Sequence, residues 1–310
     1  MLLLNYMQKI QIKNLTWIDI TDPKKEDINY LQSLNFHPVV LKELQSPTLR
    51  PKVEEYDNYL YMVLHFPIYH PKEKTSKSME IDFLITKYSL ITVRYGKIQP
   101  LQEFWEKCKS GDESILFNYS SVSLLYYMIQ ELNKFSFRQI DHITKKIDAL
   151  EEKVFKERNP KNEEKLVEEI SIIRRDILDF RRTLKPQETI LSSLRSRGIN
   201  FFGQITIPYF DDIIGDHLRV WELLDNHKET IESLQQANDS LLSNKTNRIM
   251  KLITLFAVIV FPLTLLAALF SMNTSFIPIV GMKHDFWIIL GIMAMGTLLM
   301  IALFKKKRWL

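Results

Sequence analysis

Near the C-terminus, Ser271-Met272-Asn273 opens a small polar island inside a stretch that carries no charge from Leu252 to Met282. A carboxamide in such a place offers a neutral oxygen, and it is either an ordinary loop residue or part of a binding site. Upstream, steps of three and four place Asn247, Met250, Ile253 or Thr254, Ala257, Phe261, Thr264, Ala268 and Ser271 on one helical face. This face is smaller and more polar than the remainder of the run, which carries Leu252, Leu255, Val258, Ile259, Leu263, Leu265, Leu266 and Leu269. Two chemistries suit it. Small and hydroxyl-bearing residues let helices pack closely in lipid. The same residues also suit a narrow conduit, with polar rings separated by apolar collars at Met250, Ile253 and Phe261 that close by dewetting. A second group, Asp211, Asp212 and Asp216, either faces the positive end of a helix dipole or offers carboxylates to a cation. His217 and His227 are too far apart to form a ligand pair on one turn and read as ordinary surface or interface residues. With no Gly-rich phosphate loop, no nucleophile beside a matched base and no zinc-ligand spacing, the sequence does not read as an enzyme.

The elements that must position these residues follow from charge and periodicity. A mean hydropathy of -0.11 describes an ordinary soluble chain, but the average hides two uncharged runs, the first beyond Lys251 and the second from Phe286 to Phe304. Each is long enough to cross a hydrocarbon core of about 30 Å. Lys245, Arg248 and Lys251 precede the first, and Lys305, Lys306, Lys307 and Arg308 follow the second; Lys283 is the only Lys or Arg between the two runs. By the positive-inside rule both termini are cytoplasmic and the connection faces out. The basic residues read as topology anchors, so a net charge of +4 implies no nucleic-acid partner. Cys108, the one cysteine, excludes an intrachain disulfide and a cysteine metal cluster.

The expected organisation is an α+β membrane protein. Residues 1–120 form a cytoplasmic α/β domain, in which "LTWIDIT", "YLYMVLHFPIY" and "SMEIDFLITKYSLITVRYG" read as strands and Asp22-Pro23 as a helix start. Residues 121–208 form a charged helical hairpin broken at Asn159-Pro160. Residues 209–271 form one long stalk helix that continues into a first membrane span at about 250–271, with Leu224, Ile231, Leu234 and Leu241 on a heptad stripe that includes Asn238. An external loop at 272–285, a second span at 286–304 and a basic cytoplasmic tail at 305–310 complete the chain. A helix of that length with a single apolar stripe requires neighbours, and a parallel bundle of identical copies around an axis supplies them.

"SPTLRPKVEEYDNYLYMVLHFP" (Ser46–Pro67), "SNKTNRIMKLITLFAVIVFPLTLLAALFSMN" (Ser243–Asn273) and the terminal "KKKRWL" together resemble the CorA family of magnesium channels, over Thr16 to Leu310. The resemblance implies a funnel-shaped homopentamer with an N-terminal α/β/α domain, a long stalk, a pore lined by the first span and an outer second span. It also implies that Ser271, Met272 and Asn273 stand at the family's G-M-N motif, with Asn273 presenting its carboxamide to hydrated Mg2+ at the outer mouth. Asn247 is then an inner polar ring, Thr264 an intermediate one, and Met250, Ile253 and Phe261 a hydrophobic gate, with Ala257 and Ala268 between. Mg2+ is both the transported ion and a regulatory ligand, the latter at Asp212 with Asp211 beside it and a partner carboxylate from the α/β layer, for which Glu80 and Asp82 are candidates. The ion dehydrates reluctantly, so neutral oxygens that hydrogen-bond its water shell suit a first selectivity site. Serine replaces the motif glycine, which predicts a strained corner costing about 1 kcal/mol, and the family's acidic loop residue is missing, leaving only Asp285. Alternatives on the same scaffold are a transporter of zinc or another divalent cation (Co2+, Ni2+), and a non-conducting ion-sensing scaffold.

Overall fold

The computed structural model describes residues 7–48, 50–70, 75–111, 120–156, 163–273 and 277–307. It divides into two compact units, Met1–Gln236 and Ala237–Leu310. The break expected at Asn159-Pro160, part of the inter-span loop (274–276) and Arg308 lie outside the described residues.

In the first unit, strands β1 (Met7–Ile12), β2 (Leu15–Thr21), β3 (Lys52–Tyr56), β4 (Tyr59–His70), β5 (Thr75–Ile85) and β6 (Ser89–Arg94) form one sheet in the order β1-β2-β6-β5-β4-β3. Among the described residues only the β2–β6 pairing is parallel. Alternation along the central strands sends Leu60, Met62, Leu64, Ile81, Phe83 and Ile85 to one face, where they pack with Trp17, with Phe104 of α3 (Gln99–Lys109) and with Met128 of α4 (Ser121–Phe155). The opposite face, carrying Tyr61, Val63, Leu84 and Val93, is covered by Leu31 of α1 (Lys25–Ser33) and by Val40 and Leu41 of α2 (Pro38–Glu43). Helices thus lie on both faces of a mixed sheet. The charged run "RPKVEEY" contains β3, an edge strand, and Lys52 binds Glu43 at 2.6 Å.

Two local expectations are corrected. Asp22 does not cap α1: it takes φ 49° and donates its N–H to the Arg94 carbonyl at 2.8 Å, extending the β2–β6 ladder. The helix starts at Lys25, where Asp27 accepts the Lys24 N–H at 2.8 Å. The second charged helix is interrupted at Pro186, which has no N–H and clashes with a preceding turn, so the chain forms α5 (Glu163–Leu184) and α6 (Gln187–Phe202). The interruption has a use. Beyond Val63, whose partner is Lys52, β4 has no β3 residue beside it, and the Gln187 carboxamide accepts the His65 N–H at 3.3 Å and donates to the His65 carbonyl. One side chain therefore satisfies two buried backbone groups that an ending edge strand would leave unpaired.

Helix α7 runs unbroken from Ile207 to Phe270, with Pro262 inside it. In the first unit Leu224, Ile231 and Leu234 of this helix are buried, and Arg181 both stacks on Trp221 at 4.4 Å and pairs with Asp225. In the second unit the remainder of α7 is followed by α8 (Asp285–Lys306). Windows of both helices reach mean hydropathies of 2.7 and 2.4, and 6% and 0% of those windows is buried. Phe256, Phe261, Leu265, Met295 and Leu298 are each more than 60% exposed. Apolar surface on that scale in one chain requires lipid or other copies to cover it.

Candidate functional site

The residues of the polar ladder all precede the end of α7 except the terminal Ser271-Met272-Asn273. At 3.6 residues per turn an unbroken helix keeps Asn247, Met250, Ile253, Thr254, Ala257, Phe261, Thr264 and Ala268 within a face about 120° wide. All are exposed except Ala257, which is partly covered. The hydroxyls of Thr254 and Thr264 donate to the carbonyls of Met250 and Val260 at 2.8 and 2.9 Å. Their protons are therefore used within the helix, and what they present outward is acceptor lone pairs, the polarity a cation needs.

Ser271 corrects the expectation of strain. Its N–H bonds the Ala267 and Ala268 carbonyls at 3.1 and 3.2 Å, and its hydroxyl donates to Ala268 at 2.9 Å. Non-glycine residues with positive φ are Lys13, Asp22, Asn35 and Ile279 among the described residues, and Ser271 is not one of them. Serine ends the helix without a positive φ, so no left-handed corner has to be forced. Ser271→Gly is accordingly expected to leave cation flux within about twofold of the parent, since removing the side chain relieves no strain; a large rise in a proteoliposome flux assay would restore the strained-corner reading. The backbone departure lies further on, at Ile279 (φ 77°) and Gly281 (φ 95°). There the Asp285 carboxylate accepts the N–H groups of Gly281 and Phe286 at 3.0 and 2.7 Å. The one acidic residue of the connection thus closes a turn and starts α8. The exposed Asn273 is left as the polar side chain of the motif.

The acidic group at the start of α7 is spread over three different arrangements. Asp211 is paired with Arg195, whose hydrogen bonds hold its carboxyl below the usual range. Asp212 is exposed and accepts from Tyr126 Oη at 2.8 Å and Gln130 Nε2 at 2.6 Å. Burial raises the Asp216 carboxyl, opposed by a hydrogen bond from Gln130. No group of three or more His, Cys, Asp or Glu is arranged to hold a metal among the described residues. Glu80 and Asp82 do not suit the partner role: they are 5% and 0% exposed within the sheet, Glu80 binds Thr48 and His65, and Asp82 accepts from Tyr95. His217 is buried, which lowers its pKa, and His227 lies 2.8 Å from the Thr144 hydroxyl. Sequence reasoning missed Tyr126 and Gln130, because their approach to Asp212 joins α4 to α7 across more than 80 residues.

Residues 13–306 match the profile of the CorA-like Mg2+ transporter protein family. The cobalt/magnesium transport protein CorA of Thermotoga maritima is 28% identical over 297 residues, covering 95% of this chain and 83% of that one. The complete structure of the CorA magnesium transporter from Methanocaldococcus jannaschii superposes with a TM-score of 0.86 at 20% identity, covering all of both chains. The continuous helix with its polar ladder, the two long apolar helices and a match spanning nearly the whole sequence agree: this chain belongs to the CorA-like family of Mg2+ transporters.

Proposed function

We propose that the protein is a passive divalent-cation channel carrying Mg2+ into the cell across the plasma or inner membrane, with residues 1–249 and both termini cytoplasmic. The observation that carries this reading is the uncharged, exposed polar ladder of α7 inside a chain of the Mg2+ transporter family. Five copies around an axis would bring the ladder inward. Asn273 then forms the outer ring that hydrogen-bonds the ion's water shell, Thr264 and Asn247 form inner rings, and Met250, Ile253 and Phe261 form the collars. Ala257 and Ala268 keep the wall narrow, with α8 packed outside against lipid. An inside-negative potential drives entry at roughly 2.3 kcal/mol per charge per ~100 mV.

Regulation by cytosolic Mg2+ would act through Asp212. Its carboxylate is exposed and already oriented by Tyr126 and Gln130, so a cation shared with a carboxylate of a neighbouring copy could bind there without rearranging it, and loss of that ion would release the copies. Asp211, committed to Arg195, would serve as a scaffold and not as a ligand. The test is flux into liposomes containing the purified chain, read in parallel with Mg2+- and Zn2+-sensitive dyes. Mg2+ entry is the expected result. Zn2+ entry alone would select the zinc alternative, and no flux from an intact oligomer would select the ion-sensing scaffold.

A further inference from the structure

The face of the sheet beneath α2 carries a buried polar cluster around Asp82. Asp82 on β5 stands opposite Val63 on β4, and its side chain is 0% exposed. One carboxyl oxygen accepts the Tyr95 hydroxyl from β6 at 2.7 Å, while the other has no hydrogen-bond partner. The charged and titratable groups around it come from every neighbouring element: Glu43 from α2, Lys52 from β3, Tyr61 and His65 from β4, Glu80 from β5 and Tyr95 from β6. Two of these are carboxylates already engaged elsewhere, Glu80 with His65 Nε2 at 3.0 Å and with the Thr48 N–H at 2.8 Å, and Glu43 with Lys52 at 2.6 Å. Lys52 divides its ammonium between Glu43 and Glu54 and stands over the Tyr61 ring at 4.8 Å.

A buried carboxylate needs a counter-charge or several donors, and Asp82 has one donor and no cation of its own. We propose that Asp82 is a proton-binding site: it is carried as the neutral acid under ordinary cytosolic conditions, with the proton on the oxygen that Tyr95 does not occupy, and its ionisation loosens the packing of α2 and β3 on the sheet. Burial is the main cause that pushes the carboxyl up to about 8, the Tyr95 hydrogen bond opposes it and the charge of Glu80 adds to it. The unfolded chain releases this proton near pH 4. The folded state therefore binds more protons than the unfolded one between about pH 4 and about pH 8, and the stabilisation present below that window is lost as pH rises through it. Above the window the added negative charge lies beside Glu80 and Glu43, under the loop whose Thr48 amide is held by Glu80.

The test uses the full chain in detergent micelles. Infrared difference spectra of parent against Asp82→Asn should contain a protonated-carboxyl band at neutral pH that titrates away near pH 8. Thermal midpoints should fall by several degrees from about pH 5 to about pH 8.5 in the parent and by clearly less in Asp82→Asn, whose amide mimics the neutral acid. Tyr95→Phe removes the donor that favours ionisation and should move the titration to higher pH, whereas Glu80→Gln should move it lower. These opposite displacements separate a proton site from general destabilisation. A spectrum without an Asp82-dependent protonated band at neutral pH, or an unchanged pH slope in Asp82→Asn, overturns the proposal.

Discussion

Replacing Asn273 by alanine is expected to abolish Mg2+ entry into proteoliposomes while leaving the oligomer intact. Mg2+ keeps most of its water, so recognition at the proposed mouth would act through hydrogen bonds from bound water to protein oxygen. The connection offers no free carboxylate for this, because Asp285 is spent on the Gly281 and Phe286 amides. Hydrogen bonds to a charged species contribute about 1.5–3 kcal/mol each. Losing one weak interaction from every copy at once readily reaches about 2.7 kcal/mol, a fall of about 100-fold in rate. Dye-reported influx, with size-exclusion chromatography to verify assembly, checks this. Flux within threefold of the parent from an assembled variant would remove Asn273 from the selectivity site. Ser271→Gly in the same assay isolates the effect to the carboxamide, since Ser271 carries no left-handed strain.

The second large effect is on stability. Asp19 on β2 and Arg94 on β6 form a buried pair, with Arg94 Nε and Nη2 at 3.1 and 2.9 Å from one carboxylate oxygen. Thr92 donates to the other oxygen at 2.7 Å and itself accepts from Trp17 Nε1 at 3.0 Å. The pair lies at the parallel β2–β6 junction, where its side chains are 4% and 8% exposed. Arg94→Ala strands a buried carboxylate and should cost about 3–5 kcal/mol, a large share of the roughly 5–15 kcal/mol that holds a typical domain together. A drop of about 6–20 °C in thermal midpoint is the expected reading. Asp19→Leu combined with Arg94→Met should cost less than the sum of the two single changes, because no charge is then left unpaired. A loss below about 1 kcal/mol for Arg94→Ala would show that the carboxylate finds another partner or simply takes up a proton.

Much of the architecture is written locally. The strands "LTWIDIT" and "SLITVR" are rich in β-branched and aromatic residues, and the two uncharged runs have a length and hydropathy that no neighbour needs to explain. The spacing of Asn247 through Ala268 follows from helix period alone, because nothing between them breaks α7. Pro186 was present in the sequence but stood inside a strongly charged helical pattern, and its effect on the break between α5 and α6 was masked by good periodicity on either side. Asp22 misled for the opposite reason. It has the residue type of a helix cap, yet the β6 strand competes for its backbone through the Arg94 carbonyl.

By itself the sequence determined the apolar helices, the strand periods and the single polar face of α7, since each depends on residues within a few turns of one another. Only the tertiary structure decided which acids are available. Asp19 meets Arg94 across 75 residues and Gln187 meets His65 across 122, and both encounters require the strand order β1-β2-β6-β5-β4-β3. The same order buries Asp82 without a counter-ion and Glu80 beside His65, while Asp212 stays at the surface, held by Tyr126 and Gln130. Carboxylates look alike in a sequence. Burial and hydrogen bonding make one a proton carrier, another half of an ion pair and a third a candidate cation ligand, and those two quantities exist only once distant segments have packed.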